Sequence, residues 1–219
     1  MQLTDLQKRV IDISYKLKLS HIGSCLTCVD LIGKIYETKE EDDKFILSNG
    51  HAHLAHLVVQ EFILAGGNSF ESEELIEKYG IHCDRKSGCD CSTGSLGQGL
   101  PIAVGMALAD RSKMVYCMTS DGEWSEGSMW EALQTASDLE LDNLWIFVNA
   151  NGYSAYKKVD IERLEWKIAA FIKGNHPRVS VVKADTSQYP EYLQGLEGHY
   201  HVLSDSEYIE IDREVGHSV

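Results

Sequence analysis

The sequence predicts an α/β fold in which helices cover both faces of a parallel sheet, giving three layers. Two observations carry this. Short apolar runs alternate along the chain with stretches of helical period, the pattern of strands buried on both faces and joined by crossover helices. Two of these runs also end on matching signals. Residues 114–118 lead into Ser120-Asp121-Gly122-Glu123, and residues 144–148 stop at Asn149-Ala150-Asn151-Gly152. Parallel strands joined by a crossover helix release their C-terminal ends on the same edge of the sheet. Asp121 and Asn151 are therefore expected on one rim.

Each element has its own signal. Leu3, Leu6, Val10, Ile13 and Leu17 recur at helical spacing and mark an amphipathic first helix. A loop through His21 and Gly23 leads to a second helix over 29–36. Residues 44–47 read as a short strand, and Gly50-His51 turns into a third helix over 53–64, stopped by Gly66-Gly67. A helix spans 71–79, and 80–94 has no core pattern and reads as a loop. Pro101 suits the first turn of a helix running to 110. The strand at 114–118 follows, then a helix over 126–139 carrying Met129, Trp130, Leu133 and Ala136 at helical spacing. The strand at 144–148, a helix over 161–172 and a strand at 179–182 complete the pattern. No repeat, low-complexity segment or flexible linker interrupts it, so residues 1–219 are expected to form one domain.

Composition narrows the function classes. A net charge of -14 argues against a nucleic-acid or anionic-membrane surface. No run reaches the roughly 18 apolar residues of a membrane span, and the polar N-terminus lacks the regions of a signal peptide. The expected compartment is the cytoplasm. Cys25-x-x-Cys28 offers half a zinc site that Cys89 and Cys91 could complete, with nine histidines as further candidates. Against this, Cys28 falls at a helix start, Cys117 inside a core strand, and Cys89-Asp90-Cys91 is poorly spaced for tetrahedral zinc. The expectation is reduced thiols packed as small apolar side chains.

The rim carries the chemistry. Taken singly, Asp121 is a helix N-cap and Asn151-Gly152 an ordinary turn. Placed together beside a helix N-terminus, they offer two hard oxygens for Mg²⁺ and backbone N–H groups for a diphosphate. This layout resembles the thiamine-diphosphate motif, an acidic Gly-Asp-Gly followed about thirty residues on by Asn. The chain departs from it at Ser120, where the motif has Gly. Ser92-Thr93-Gly94-Ser95-Leu96-Gly97-Gln98-Gly99-Leu100, running into 103–109, is similar to the transketolase family. So are Leu47-Ser48-Asn49-Gly50-His51 and the loop Ser20-His21-Ile22-Gly23-Ser24 ahead of Asp30-Leu31. These motifs stand in the family's order across residues 5–155.

The resemblance implies a thiamine-diphosphate-binding fold and the diphosphate-binding domain of a transketolase. The pyrimidine-binding and C-terminal domains have no room here, so the chain resembles the N-terminal subunit of a split transketolase, needing a C-terminal partner subunit. The implied reaction moves a two-carbon ketol unit from a ketose phosphate to an aldose. The resemblance makes Asp121, Asn151 and the carbonyl of Tyr153 ligands of Mg²⁺. It sets Ser120, Gly122 and the N–H of Glu123 against the diphosphate, with Asn151 beside them, and Gly94 and Leu96 against the pyrimidine and thiazolium end. His21, His51, His82 and His199 match histidines of the substrate channel, where an imidazole suits proton transfer near neutrality. Glu126 matches a glutamate that meets the partner's catalytic glutamate, though it also suits the first turn of a helix. His53 and His56 carry no signal beyond packing.

Beyond Tyr156 the match thins. Lys183-Ala184-Asp185-Thr186 stands where the family has a glycine-rich turn, and the C-terminal third is shorter. The tail through His199 and Tyr208 resembles the close of split subunits, implying a compact variant with a natural end. The implied assembly is a homodimer within a heterotetramer, with Trp124, Met129 and Trp130 as interface anchors or, for Trp130, internal core. Two alternatives stay open: another transketolase-like thiamine-diphosphate synthase, and a non-catalytic remnant of the fold.

Overall fold

The computed structural model describes residues 3–65 and 71–215. Four strands, β1 (Lys44–Leu47), β2 (Val115–Ser120), β3 (Leu144–Ala150) and β4 (Arg178–Lys183), form one parallel sheet in chain order. The helices are α1 (Asp5–Lys16), α2 (Ile22–Thr38), α3 (His53–Ala65), α4 (Glu71–Tyr79), α5 (Gly99–Ala109), α6 (Gly127–Asp138), α7 (Ile161–Phe171), the single turn α8 (Gly195–Gly198) and α9 (Asp205–Val215).

Alternation along the strands builds the three layers. Phe45, Leu47, Tyr116, Met118 and Phe147 pack with the apolar stripes of α1, α2 and α3. Their neighbours Ile46, Val115, Cys117, Ile146 and Val148 pack with α5, α6 and α7 on the opposite face. β2 is buried along its whole length, as a central strand covered on both sides must be. Each fully buried Leu, Ile or Met contributes about 1.5–3 kcal/mol relative to exposure, so the two clusters hold the sheet between them. The parallel, doubly covered α/β architecture is the one the sequence predicts.

Three local differences have physical causes. α2 begins at Ile22, well ahead of residue 29, because His21 turns the chain directly into it with a left-handed backbone (φ 64°), and Ile22, Cys25 and Leu26 are already buried. β2 and β3 run two residues closer to the rim than the apolar runs alone mark, pairing Ser120 with Asn149. α9 lies in a stretch with no assigned element. Its start is a reciprocal cap: the Ser204 N–H donates to Glu207 Oε2 (2.8 Å) and the Glu207 N–H donates to Ser204 Oγ (3.3 Å). Tyr208 then stacks on Tyr15 of α1, with ring centroids 4.0 Å apart. The Gly66-Gly67 stop lies outside the described residues.

The cysteines correct one expectation. Cys25, Cys28, Cys91 and Cys117 are free and buried, but Cys83 and Cys89 are joined as a disulfide. The short 3₁₀ turn Arg85–Ser87 curls the loop between them and brings the two sulfurs together. The Cys25-x-x-Cys28 pair is no metal half-site: both thiols are buried in α2, and Cys28 Sγ accepts hydrogen bonds from the side-chain amides of Asn49 (3.2 Å) and Asn149 (3.0 Å). Among the described residues, no helix is long and apolar enough to cross a membrane.

Candidate functional site

The C-terminal ends of β2 and β3 deliver Asp121 and Asn151 to one rim. Asp121 opens a 3₁₀ turn (Asp121–Ser125), and its Oδ2 accepts a 2.7 Å hydrogen bond from the backbone N–H of Gly152. Its Oδ1 is buried with no partner. Burial pushes the Asp121 carboxyl up to about 6, against the backbone hydrogen bonds from Gly152 and Gly122 that favour the charged form. Asn151 Oδ1 accepts from the Tyr153 N–H (3.0 Å), an Asx turn that leaves the amide oxygen its second lone pair. Gly122 lies against the same turn: a Cβ there would stand 3.0 Å from Ser154 Cα.

Glu123 does more than the motif implies. Its side chain is fully buried and collects three donors from separate segments: Ser48 Oγ (2.7 Å) and the Gly97 N–H (3.1 Å) on Oε1, and the Ser120 N–H (3.0 Å) on Oε2. Burial raises its pKa, and these hydrogen bonds oppose the rise. Gly97 is required where it stands. Its φ is +80°, and a Cβ would meet Ser128 Oγ at 2.6 Å and Glu126 Cβ at 2.7 Å. The loop 92–99 is thereby drawn tight against the start of α6.

A cavity of about 170 Å³ opens beside this rim, and His21, His51, His82, Gly94, Leu96, Ser120, Gly122, Asn151, Tyr153 and His199 all line it. Three of the imidazoles form a cluster, with ring centroids 5.4 Å (His21–His51), 4.6 Å (His21–His199) and 5.6 Å (His51–His199) apart. The C-terminal segment reaches the cluster through a backbone hydrogen bond from the His21 N–H to the His199 carbonyl (3.1 Å). His21 itself is held in the left-handed region, a conformation that costs a non-glycine residue about 1–2 kcal/mol. Desolvation first, then the neighbouring imidazoles, lowers His21 to about 4 and His51 to about 3. Desolvation also lowers His199. The cluster is therefore neutral near pH 7.

A second, larger cavity of about 300 Å³ lies on the other side of Asp121, between its 3₁₀ turn and α7, and contains none of the histidines. Size alone would favour it, but the smaller cavity holds the convergent polar groups, and it is the better candidate site.

Some expected residues stand apart. Asp121 borders the larger cavity, so it sits between the two spaces. Glu126 is exposed at the N-cap of α6. Trp124 and Met129 are buried in this chain's own core, which removes them as interface anchors: their side chains fill the space between the sheet and α6. Trp130 is half-buried, 5.1 Å from Trp124 and 5.0 Å from Phe171 between ring centroids. Tyr200, Ser24, Ser154 and Ala155 line the histidine cavity without having been singled out from the sequence. Only their adjacency to His199, Gly23 and Tyr153 could have pointed to them.

Comparison with known proteins gives a consistent result. Residues 35–188 match the thiamine diphosphate binding domain of transketolase. Transketolase-like protein 2 of Bos taurus is 37% identical over 153 residues, 60% of this chain and 24% of that protein. An apulose-4-phosphate transketolase subunit of Phocaeicola vulgatus is 32% identical over 169 residues, 66% of this chain and 58% of that polypeptide. The chain thus spans 24% of the length of the first of these relatives and 58% of the second. In structure it is similar to transketolase from Campylobacter jejuni, with a TM-score of 0.72 at 20% identity over 99% of this chain and 43% of that one.

Proposed function

Starting from a chain that belongs to the thiamine-diphosphate-binding transketolase family, we propose that it is the N-terminal, diphosphate-binding subunit of a split transketolase. The observation that carries this reading is Asp121 Oδ1, a buried carboxylate oxygen without a partner, at a rim shared with Asn151 and next to the neutral histidine cluster. A buried anionic acceptor left unpaired is costly unless a cation completes it. The residues fit Mg²⁺: Asp121 Oδ1, Asn151 Oδ1 and the Tyr153 carbonyl are hard oxygens of the kind that ion prefers. Two relatives bear on the subunit arrangement: the Phocaeicola vulgatus polypeptide, and a 6-deoxy-6-sulfo-D-fructose transketolase subunit of a Clostridium strain, 32% identical over 170 residues.

When bound, thiamine diphosphate supplies a nucleophilic carbon able to carry a two-carbon ketol unit between sugars. The chain's own residues do the rest. Asp121, Asn151 and Tyr153 would hold the metal, and Gly122 with the N–H of Glu123 would form the diphosphate wall, with Ser120 beside them. Serine in place of glycine at 120 leaves the backbone there in order, since its N–H is fixed by Glu123 Oε2. Gly94 and Leu96 offer a surface for the rings. His21, His51 and His199, neutral and mutually close, can hydrogen-bond sugar hydroxyls and pass protons at their imidazole nitrogens, with His82 at the cavity edge. Glu126, exposed, would meet a glutamate of the partner. The substrates are a ketose phosphate and an aldose, the compartment is the cytoplasm, and residues 1–219 act as one domain.

Mixing the purified chain with a transketolase C-terminal subunit, then measuring ketol transfer, tests the reading. Activity is expected only from the mixture. Ketol transfer by the chain alone would overturn the subunit assignment.

A further inference from the structure

Four metal-ligating side chains converge where α3 meets the loop 80–94. His53 and His56 lie on the first turn of α3, and Cys83 and Cys89 lie on the loop that follows α4; all four are buried. Ligand atoms of His53, Cys83 and Cys89 lie within 4.8 Å of one another. His56 joins them through Nδ1, 3.6 Å from Cys89 Sγ. We propose that, with its two cysteines reduced, this group is a structural Zn²⁺ site of the Cys₂His₂ class, formed by His53, His56, Cys83 and Cys89.

Three features favour a metal over simple packing. The first is the orientation of the imidazoles. His53 Nδ1 donates to the Gly80 carbonyl (3.3 Å), an acceptor-only partner, which leaves the Nε2 lone pair directed at the cluster. His56 Nε2 pairs with Tyr36 Oη (2.6 Å) and turns Nδ1 toward Cys89. Metal-bound histidines are held in this way, with the outer nitrogen fixed by an oxygen and the inner one free to ligate. The second is charge. Two thiolates and two neutral imidazoles around Zn²⁺ sum to zero, which suits a buried site, and the soft sulfur donors exclude Mg²⁺ and Ca²⁺. The third is economy of rearrangement. Ser87 Oγ stands 2.8 Å from His53 Nε2 and 2.7 Å from the Asp84 carbonyl, so its single proton can turn to that carbonyl when a metal takes Nε2, and the hydroxyl keeps a partner.

The disulfide and the metal site are alternative states of one sulfur pair. Reduction of the Cys83–Cys89 bridge by a thiol yields two cysteine thiols and the oxidised thiol as its own disulfide. Zn²⁺ then displaces one proton from each thiol and forms two Zn–S bonds. In a reducing compartment the thiol state prevails. The consequence reaches the cavity. Cys83 follows His82 directly, its N–H donates to the Gly50 carbonyl (3.1 Å), and its carbonyl accepts from the Thr93 N–H (3.0 Å). A metal at this point clips the loop 80–94, which has little regular structure of its own, to α3 and fixes where His82 stands.

The test uses the full chain, reduced with a phosphine and freed of metal. Addition of Zn²⁺ alone is expected to give one ion per chain, retained through desalting. Co²⁺ in its place should show thiolate charge-transfer and tetrahedral visible bands. Cys83→Ser, Cys89→Ser and His56→Asn should each weaken Zn²⁺ binding at least tenfold, Tyr36→Phe by about tenfold through the outer nitrogen of His56, and Cys91→Ser should leave it unchanged. Because the wild-type cobalt spectrum is read without any substitution, a variant that fails to fold does not blunt the test. Less than one tenth of an ion per reduced chain, or a cobalt spectrum without thiolate bands, would overturn the proposal.

Discussion

Asp121 Oδ2 accepts a 2.7 Å hydrogen bond from the backbone N–H of Gly152, so a single carboxylate clips the end of β2 to the end of β3 while its second oxygen stays buried and unpaired. The clip fixes the rim on which Asp121 and Asn151 stand together. Its cost is a buried charge, which is why the carboxyl is lifted from 3.8 to about 6.

The first prediction follows from that cost. A raised folded-state pKa means the folded chain binds more protons than the unfolded one between about pH 4 and 6, so this group's stabilising effect is complete at low pH and is lost as pH rises through 6. In the metal-free chain the loss amounts to about 3 kcal/mol at most. Asp121→Asn should remove that slope, seen as a difference in urea midpoint between variant and wild type that grows from pH 4 to 6; a difference constant over that range would contradict it. In the assembled enzyme Asp121→Ala should abolish Mg²⁺-dependent thiamine-diphosphate binding, and Asn151→Ala should weaken it. Calorimetry showing unchanged cofactor affinity for both would place the metal elsewhere.

Glu123 gives the second prediction. Three donors from the 48, 97 and 120 positions end on its carboxylate in the interior. Glu123→Ala leaves all three without an acceptor, and the expected loss is about 3–5 kcal/mol. Glu123→Gln keeps acceptor capacity on one oxygen and should cost clearly less. Denaturant midpoints of the metal-free chain measure both, and equal stabilities for the two variants would contradict the role.

The rim was legible in the sequence because it depends on two local facts: where an apolar run stops, and which residue stands just past it. Asp121 and Asn151 are read that way, and the parallel, doubly covered sheet with them. What Glu123 joins was not legible, since Ser48 and Gly97 approach it only after the sheet has formed. His199 could be paired with His21 only through resemblance, because β4 and α8 lie between and nothing local ties the tail to the first loop. α9 is a different kind of omission. Ser204 and Glu207 spell a capping box in the sequence, and only Tyr208 and Ile211 of its apolar residues pack on the core, too few to declare a helical period.

The third prediction concerns pH and the histidine cluster. His21 and His51 are lowered to about 4 and 3, so in the unfolded chain they take up protons near pH 6.5 while the folded chain resists until well below 5. The stabilising effect is full above the unfolded pKa and is lost as pH falls from about 6.5 toward 3. Each such group contributes a slope of up to about 1.4 kcal/mol per pH unit, less where solvent reaches the ring. His51→Gln should flatten the acid limb of the stability profile between pH 6 and 4. Direct titration of the imidazoles by NMR should find His21 and His51 neutral at pH 6. A measured value near 6.5 for either would mean the cluster is open to water.

The last prediction is about assembly and rests on the proposed subunit reading, in which this chain lines one wall of the histidine cavity and a partner supplies the other. α5 presents an outward face of Pro101, Gly105 and Leu108, exposed, with Ile102 and Met106 half-buried beside them. Small and apolar residues on one side of a helix permit close approach of another chain, and a patch that pairs with its own copy closes most simply about a two-fold axis. Trp124 and Met129 are core, so α5 and the exposed start of α6 at Glu126 are expected to carry the contact. Light scattering on the isolated chain at micromolar concentration should report a dimer, and addition of two C-terminal partners should give a heterotetramer. Leu108→Asp, on the exposed side of α5, should shift the chain to monomer without loss of far-ultraviolet circular dichroism. A wild-type chain that stays monomeric both alone and with its partner would refute the arrangement.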